Sequence, residues 1–367
     1  MIKISEKNKR FFEVDGKITY LFNSGMNGVP GTAKLSEMIA EGVNTFYIQV
    51  PFLKGSRLCP WVGRAGMEKN FGGWNEPAFK KLQDESRKLN GRNCFLLIVI
   101  DGSPLRRHHW EGHLWNKKNG GPVSSKEDRV PAFFKYGIPK QKEFLEKLLV
   151  DELPESKYDN ILVALNWEIF NGWLDAKDWA ADLINYCHKL NKRRPFGVGT
   201  FYNDHLAYLN SKLKRPAFGI AEGADIFWLI KKTGGKPPGR WPWVECGFHC
   251  HPDAFYGQNT KKICSRFEKG METDNMKGVV ENVCHMARIG INPSLPFEHW
   301  QARTGHIVKD CGKNMNYDYR KFSGMLGNFA KKFNSFMDRK VDVSRIPDKA
   351  MSRKIGNFKY RVMKKLQ

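Results

Sequence analysis

Apolar runs and amphipathic periods alternate along most of the chain. Residues 17–28, "KITYLFNSGMNG", read as a strand that stops on Gly and Asn. Residues 32–50, "TAKLSEMIAEGVNTFYIQV", continue as an amphipathic helix, a stop at Gly42 and a second strand rich in β-branched and aromatic positions. Together they make a βαβ unit. The period then repeats: helix "EPAFKKLQDESRKLNG", strand "CFLLIVIDG", helix "PKQKEFLEKLLVDEL", strand "NILVALNWE", helix "AKDWAADLINYCHKLNK" and strand "PFGVGTFY". Further on, "HLAYLNSKL" predicts a helix, "ADIFWLI" and "WPWVECGF" strands, "NMKGVVENVCHMARIG" a helix and "NPSLPFEHW" a last strand before the helical "YDYRKFSGMLGNFAKKFNSFMD". The gap from Ile230 to Trp241 is too short for a full helix.

Eight strands alternating with helices predict an α/β chain folded as a single (β/α)8 TIM barrel, with one barrel helix reduced. An open dinucleotide-binding sheet wants GxGxxG at its first crossover, and "SGMNGVPG" lacks it. The barrel is expected over residues 1–340, followed by a basic tail over 341–367. From Met351 onward that tail has six basic residues and no acid.

Long insertions at 54–75, 102–138 and 248–275 all follow strands, so they crown the C-terminal end of the barrel, where barrel enzymes keep their sites. They are rich in Trp, Arg, Lys and His: "RLCPWVGR", "RRHHWEGHLWNKK" and "GFHCHPDAFYGQ". A carboxylate at a strand mouth costs several kcal/mol unless it is partnered or used. Glu168, Glu245 and Glu298 end predicted strands four, seven and eight, and Asp101 ends strand three. Two carboxylates across a sugar ring are the minimum apparatus for breaking a glycosidic bond, one donating a proton and the other attacking carbon or activating water. Glu298 is the rival of Glu245 for the second role. Glu168 as one arm of a structural ion pair is the bland alternative.

The order of a strand-four Glu, a strand-seven Glu and a strand-eight aromatic, with an early "MIAEGVNTFYIQV" and a late "VCHMARIGINPSLPFEHW", resembles the clan A glycoside hydrolases, over roughly residues 17–335. That resemblance implies a retaining barrel enzyme with Glu168 as acid/base, Glu245 as nucleophile and Trp300 as an aromatic platform. It also carries a departure. The clan usually has Asn immediately before the acid/base, and here that place holds Trp167, with Asn166 one residue earlier. Strand alternation sends Asn166 and Glu168 to the same side, so Asn166 is a candidate substitute. A catalytically silent, sugar-binding relative stays open.

His108 or His109, after strand three, is a candidate for hydrogen bonds to sugar hydroxyls, as are Tyr202 and Asn203 after strand five. Trp61 and Trp74 are candidate stacking platforms for pyranose rings. Neither "RRHHWEGH" nor "GFHCHPD" carries HExxH or a paired CxxC, so no metal and no cofactor are expected.

The charge widens the choice of partner. With 61 Lys and Arg against 38 Asp and Glu the formal charge is +23, which suits a polyanion. An acidic polysaccharide is one such partner. Nucleic acid is another, but no nucleic-acid motif supports it. The longest clean apolar stretch, Cys94 to Ile100, is too short to span a bilayer, and the first residues lack the apolar core of a secretory signal. Eight cysteines without a CxxC pair read as reduced thiols. A cytoplasmic chain with no membrane partner is the expectation.

Overall fold

The computed structural model describes residues 1–6, 8–40, 42–62, 73–100, 110–121, 123, 129–166, 175–199, 203–221, 241–245 and 291–292. Its strands are β1 (Ile2–Ile4), β2 (Phe12–Val14), β3 (Lys17–Thr19), β4 (Asn23–Asn27), β5 (Thr45–Val50), β6 (Phe95–Ile100), β7 (Ile161–Ala164), β8 (Phe196–Gly199), β9 (Phe218–Ala221), β10 (Trp243–Glu245) and β11 (Ile291–Asn292). Five α-helices stand among the described residues: α1 (Thr32–Ala40), α2 (Glu76–Asn90), α3 (Arg129–Glu146), α4 (Asp175–Leu190) and α5 (Asn203–Lys212). In the main sheet the strands follow chain order from β4 to β11. This is the parallel α/β barrel that the alternating pattern predicts, with five α-helices among its described residues.

The chain falls into two compact units, Met1–Thr19 with Tyr47–Ile220, and Tyr20–Phe46 with Ala221–Gln367. In the first, every residue of β6 ("FLLIVI") and β7 ("ILVA") is buried, as strands covered on both faces require. Parallel register runs Leu97 opposite Leu162, Val163 opposite Phe196 and Val198 opposite Gly219. Helix α2 shows why the helical segments fold as they do. Pro77 stands at its start, where a missing N–H costs nothing, and Gly91 follows its end. Ala78, Phe79, Leu82, Ser86 and Leu89 form one buried stripe. On that stripe the buried Glu85 is held by Lys81 and by Lys88 at 2.9 Å. Asn160, just before β7, donates to the carbonyls of Ser86 and Cys94 and accepts from the Ser86 hydroxyl, tying helix to sheet. Trp179 of α4 donates its indole N–H to Gln141 of α3 at 2.8 Å.

The first strand departs from expectation. Residues 17–28 do not form one strand: Asp15 and Gly16, at φ 51° and 78°, turn β2 into β3 and take residues 17–19 into an antiparallel meander with β2 and β1. Both positive φ values belong to the two-residue turn that matches strand twist. Phe12, wholly buried, meets Phe218 edge-on at 5.6 Å, so the meander covers the start of β9. A strand that the pattern did not predict, β9, follows Pro216 at Phe218–Ala221 and is defined by its pairing with β8. The predicted 224–230 segment, the shortened gap after it, the helices at 275–290 and 317–338 and the tail lie outside the described residues.

In the second unit a pair of asparagines makes the seam. Asn292 donates to the Trp243 carbonyl at 2.9 Å and accepts from Leu21 N–H at 2.8 Å. Asn44 accepts from Phe22 N–H at 2.7 Å and donates to the Tyr20 carbonyl at 2.8 Å. The segment entering β4 is thereby joined to β11 on one side and to the start of β5 on the other.

Candidate active site

Parallel strands present their last residues together, and these ends must be held before they can position chemistry. At the β7 exit Asn166 does the holding. Its backbone carbonyl accepts from Gly199 N–H at 3.1 Å and its side-chain amide donates to the Gly199 carbonyl at 3.0 Å. The side chain is fully buried, and its Oδ1 has no partner among the described residues. Two residues later the chain reaches Glu168, which lies outside the described residues, as do Trp167, Asp101, His108, His109, Tyr202, Glu298 and Trp300. Glu245 is the last residue of β10, the seventh barrel strand, and Asn203 is the first residue of α5; only their backbones are described.

Of the predicted site residues, the structure brings Trp61 and Trp74 into contact. They pair as an antiparallel bridge, their rings stacked at 5.7 Å and 24°. Val62 N–H donates to the Gly73 carbonyl and Asn75 N–H to that of Pro60, closing the neck of the insertion after β5. Trp61 is only 5% exposed and packs on Phe52, Trp115 and Phe144. Phe52 in turn lies flat on Trp115, 5.2 Å and 8° apart. Trp74 is half-buried and is the member of the pair with a surface to offer. This wall of rings, worth about 0.5–1.5 kcal/mol per well-placed pair beyond burial, stiffens the neck at residues 60–62 and 73–75.

His113, at the end of "RRHHWEGH", belongs to the same wall. It is fully buried, stacks on Trp110 at 5.4 Å, and its Nδ1 accepts from Trp115 N–H at 3.1 Å. A ring nitrogen used this way is unprotonated, so the His113 proton sits on Nε2. Sequence reasoning did not find this role; its signal is the Trp–x–x–His–x–Trp spacing of 110–115. Among the described residues no group of three or more His, Cys, Asp and Glu is disposed to hold a metal. An open hollow lined by Glu76, Pro77, Lys80, Lys81, Gln83, Asp84 and Glu152 lies on the flank of α2, and none of the predicted site residues lines it.

Three of the titratable groups with shifted pKa values, Cys94, Cys187 and His188, lie where chain enters the strands or on the helix end that precedes one. Burial pushes the Cys94 thiol, next to the start of β6, up to about 11, and pushes that of Cys187 up as well. Burial, helped by the positive charge of Arg215, brings His188 down to about 4. Inert thiols of this kind are structural.

No protein-family model matches the sequence, and no curated protein matches it significantly. Solved structures do. An endo-1,4-β-mannanase from Rhizomucor miehei superposes with a TM-score of 0.59 at 12% identity, over 91% of this chain and 99% of that one. The endo-β-1,4-mannanase from Thermotoga petrophila superposes with a TM-score of 0.51 at 14% identity, over 89% and 79%. At such identities the likeness is one of architecture, and the architecture is that of a barrel with its strands in chain order.

Proposed function

We propose that the chain is a retaining glycoside hydrolase that cleaves a polysaccharide, with Glu168 as acid/base and Glu245 as nucleophile. The observation that carries this reading is the pair of strand ends. Glu245 closes the seventh barrel strand, and the fourth, β7, runs out through Asn166 towards Glu168. In the double displacement, Glu168 protonates the leaving oxygen while Glu245 attacks the anomeric carbon. Water, deprotonated by Glu168, then releases the sugar from Glu245. This requires carboxyl groups about 5–5.5 Å apart. Asn166 serves as a positioning residue: with its amide on Gly199, it fixes the backbone from which Glu168 leaves. The names of the similar structures make a β-1,4-mannan the first polymer to try.

The test is release of new reducing ends from β-1,4-mannan and from a panel of neutral and uronic acid polysaccharides. Wild type should act on at least one. Glu168→Gln and Glu245→Gln should each lose about 10²–10⁴-fold, the usual contribution of such groups. Activity retained in both variants would sink the assignment, and binding without turnover by wild type would favour a sugar-binding barrel.

A further inference from the structure

Strands β7, β8 and β9 are parallel neighbours, with Val163 opposite Phe196 and Gly197 opposite Phe218. The loops that feed them therefore lie side by side, about 4.8 Å apart from strand to strand. Each loop carries cations a similar distance ahead of its strand: Lys157 before Ile161, Lys192 and Arg193 before Phe196, Lys214 and Arg215 before Phe218. Lys189 and Lys212, in the last turns of α4 and α5, extend the row. All seven are exposed.

What distinguishes this row is the lack of counter-charge. None of the seven forms an ion pair with a carboxylate among the described residues. Cations on the helix flanks behave otherwise: Lys80, Arg87, Lys140 and Lys142 are each paired, with Asp84, Asp84, Glu143 and Asp182. Complementing helix dipoles accounts for Lys189 and Lys212, but that effect fades beyond the last turn and leaves the five loop cations unexplained. Two acids share these loops. Glu155 accepts from the Arg193 backbone N–H, and Asp159 takes the amino terminus at 3.3 Å.

The row is also rigid. Buried Arg194 donates to the carbonyls of Leu153 and Tyr158, binding the β8 loop to the β7 loop. Asn210 both donates to and accepts from the Ala217 backbone, fixing the β9 loop to α5. Like charges fixed in place repel, and a bound polyanion relieves that repulsion without ordering the backbone.

We propose that this face docks an acidic polysaccharide, at the opposite end of the strands from the proposed hydrolytic site. Only the choice of polysaccharide rests on the functional reading. Beside the row Tyr158, Phe196 and Phe218 are buried, and the one exposed ring, Tyr208, lies under Lys212 at 5.4 Å with its hydroxyl donating to Asp178, so the described face has charge but lacks the series of exposed stacking rings that single-stranded nucleic acid uses.

The experiment compares full-length Lys192→Gln/Arg193→Gln/Lys214→Gln with a control of equal charge change, Lys80→Gln/Lys140→Gln/Lys142→Gln. Binding to polygalacturonate and to duplex DNA is measured at roughly 50 and 200 mM salt. Thermal midpoints check folding, and binding is scored apart from hydrolysis, so an inactive protein can still pass. The loop variant should lose about tenfold or more of its polygalacturonate affinity and show a shallower salt dependence, with the control close to wild type. Equal losses in the two variants would overturn the proposal by making net charge the whole cause. So would wild type that does not bind polygalacturonate, or that binds DNA as tightly with the same dependence on the loop cations.

Discussion

His188 shows what a single buried ring costs. It stands in the last turn of α4, meets Phe196 edge-on at 5.0 Å, and neither ring nitrogen has a partner among the described residues. Burial and then the charge of Arg215 hold its pKa near 4, against 6.5 for the free ring. Between those values the unfolded chain binds a proton that the folded chain refuses, so stability falls as pH drops through this window and levels off below it. The loss amounts to at most about 3 kcal/mol. Replacing His188 with Leu removes the titration: the drop in urea midpoint between pH 7 and pH 4.5 should be smaller than in wild type. An unchanged drop would show that other groups carry the acid sensitivity. Sequence alone marks His188 only as a polar residue in an amphipathic helix, because its two perturbers, Phe196 and Arg215, come from other elements.

Among the elements, the barrel strands were legible where burial is two-sided, since "FLLIVI" and "ILVA" admit little else. The meander at the chain start was legible too, though the reading did not use it: Asp15-Gly16 between "FEV" and "KIT" is a strong hairpin signal. Strand β9 was harder, because a four-residue run of Phe, Gly, Ile and Ala is identified by its neighbour β8 and not by its own pattern. The seam at Asn292 was invisible, as its partners Leu21 and Trp243 are remote in sequence. Yet it should be costly to cut. Asn292→Ala takes the acceptor from the buried Leu21 N–H, at about 1–3 kcal/mol, and removes a donor from the Trp243 carbonyl. The thermal midpoint should fall by several degrees, while Asn185→Ala, whose 3.5 Å bond to the Lys212 carbonyl is exposed, should leave it almost unmoved. Equal effects would deny the seam its role.

For the whole molecule, the repeat of strand and helix spoke to the architecture, and it did so because eight short buried strands cannot be covered without intervening helices. The candidate site was legible only as an order of acids along the chain; which carboxylates face one another depends on loop paths that periodicity does not encode. The two proposed roles nevertheless differ in a way that kinetics can separate. An acid/base must be protonated for the first step, so its titration sets the alkaline limb of the pH profile, whereas the nucleophile must be ionised and sets the acid limb. Glu168→Gln should therefore abolish the alkaline limb. It should also act far better on substrates whose leaving group needs no proton, such as dinitrophenyl glycosides, than on the polymer. Glu245→Gln should fail on both kinds of substrate, because the missing attack on carbon precedes any help from the leaving group. If Glu298→Gln shows that second behaviour and Glu245→Gln does not, the nucleophile lies on the eighth strand and the pair at the barrel mouth is Glu168 with Glu298.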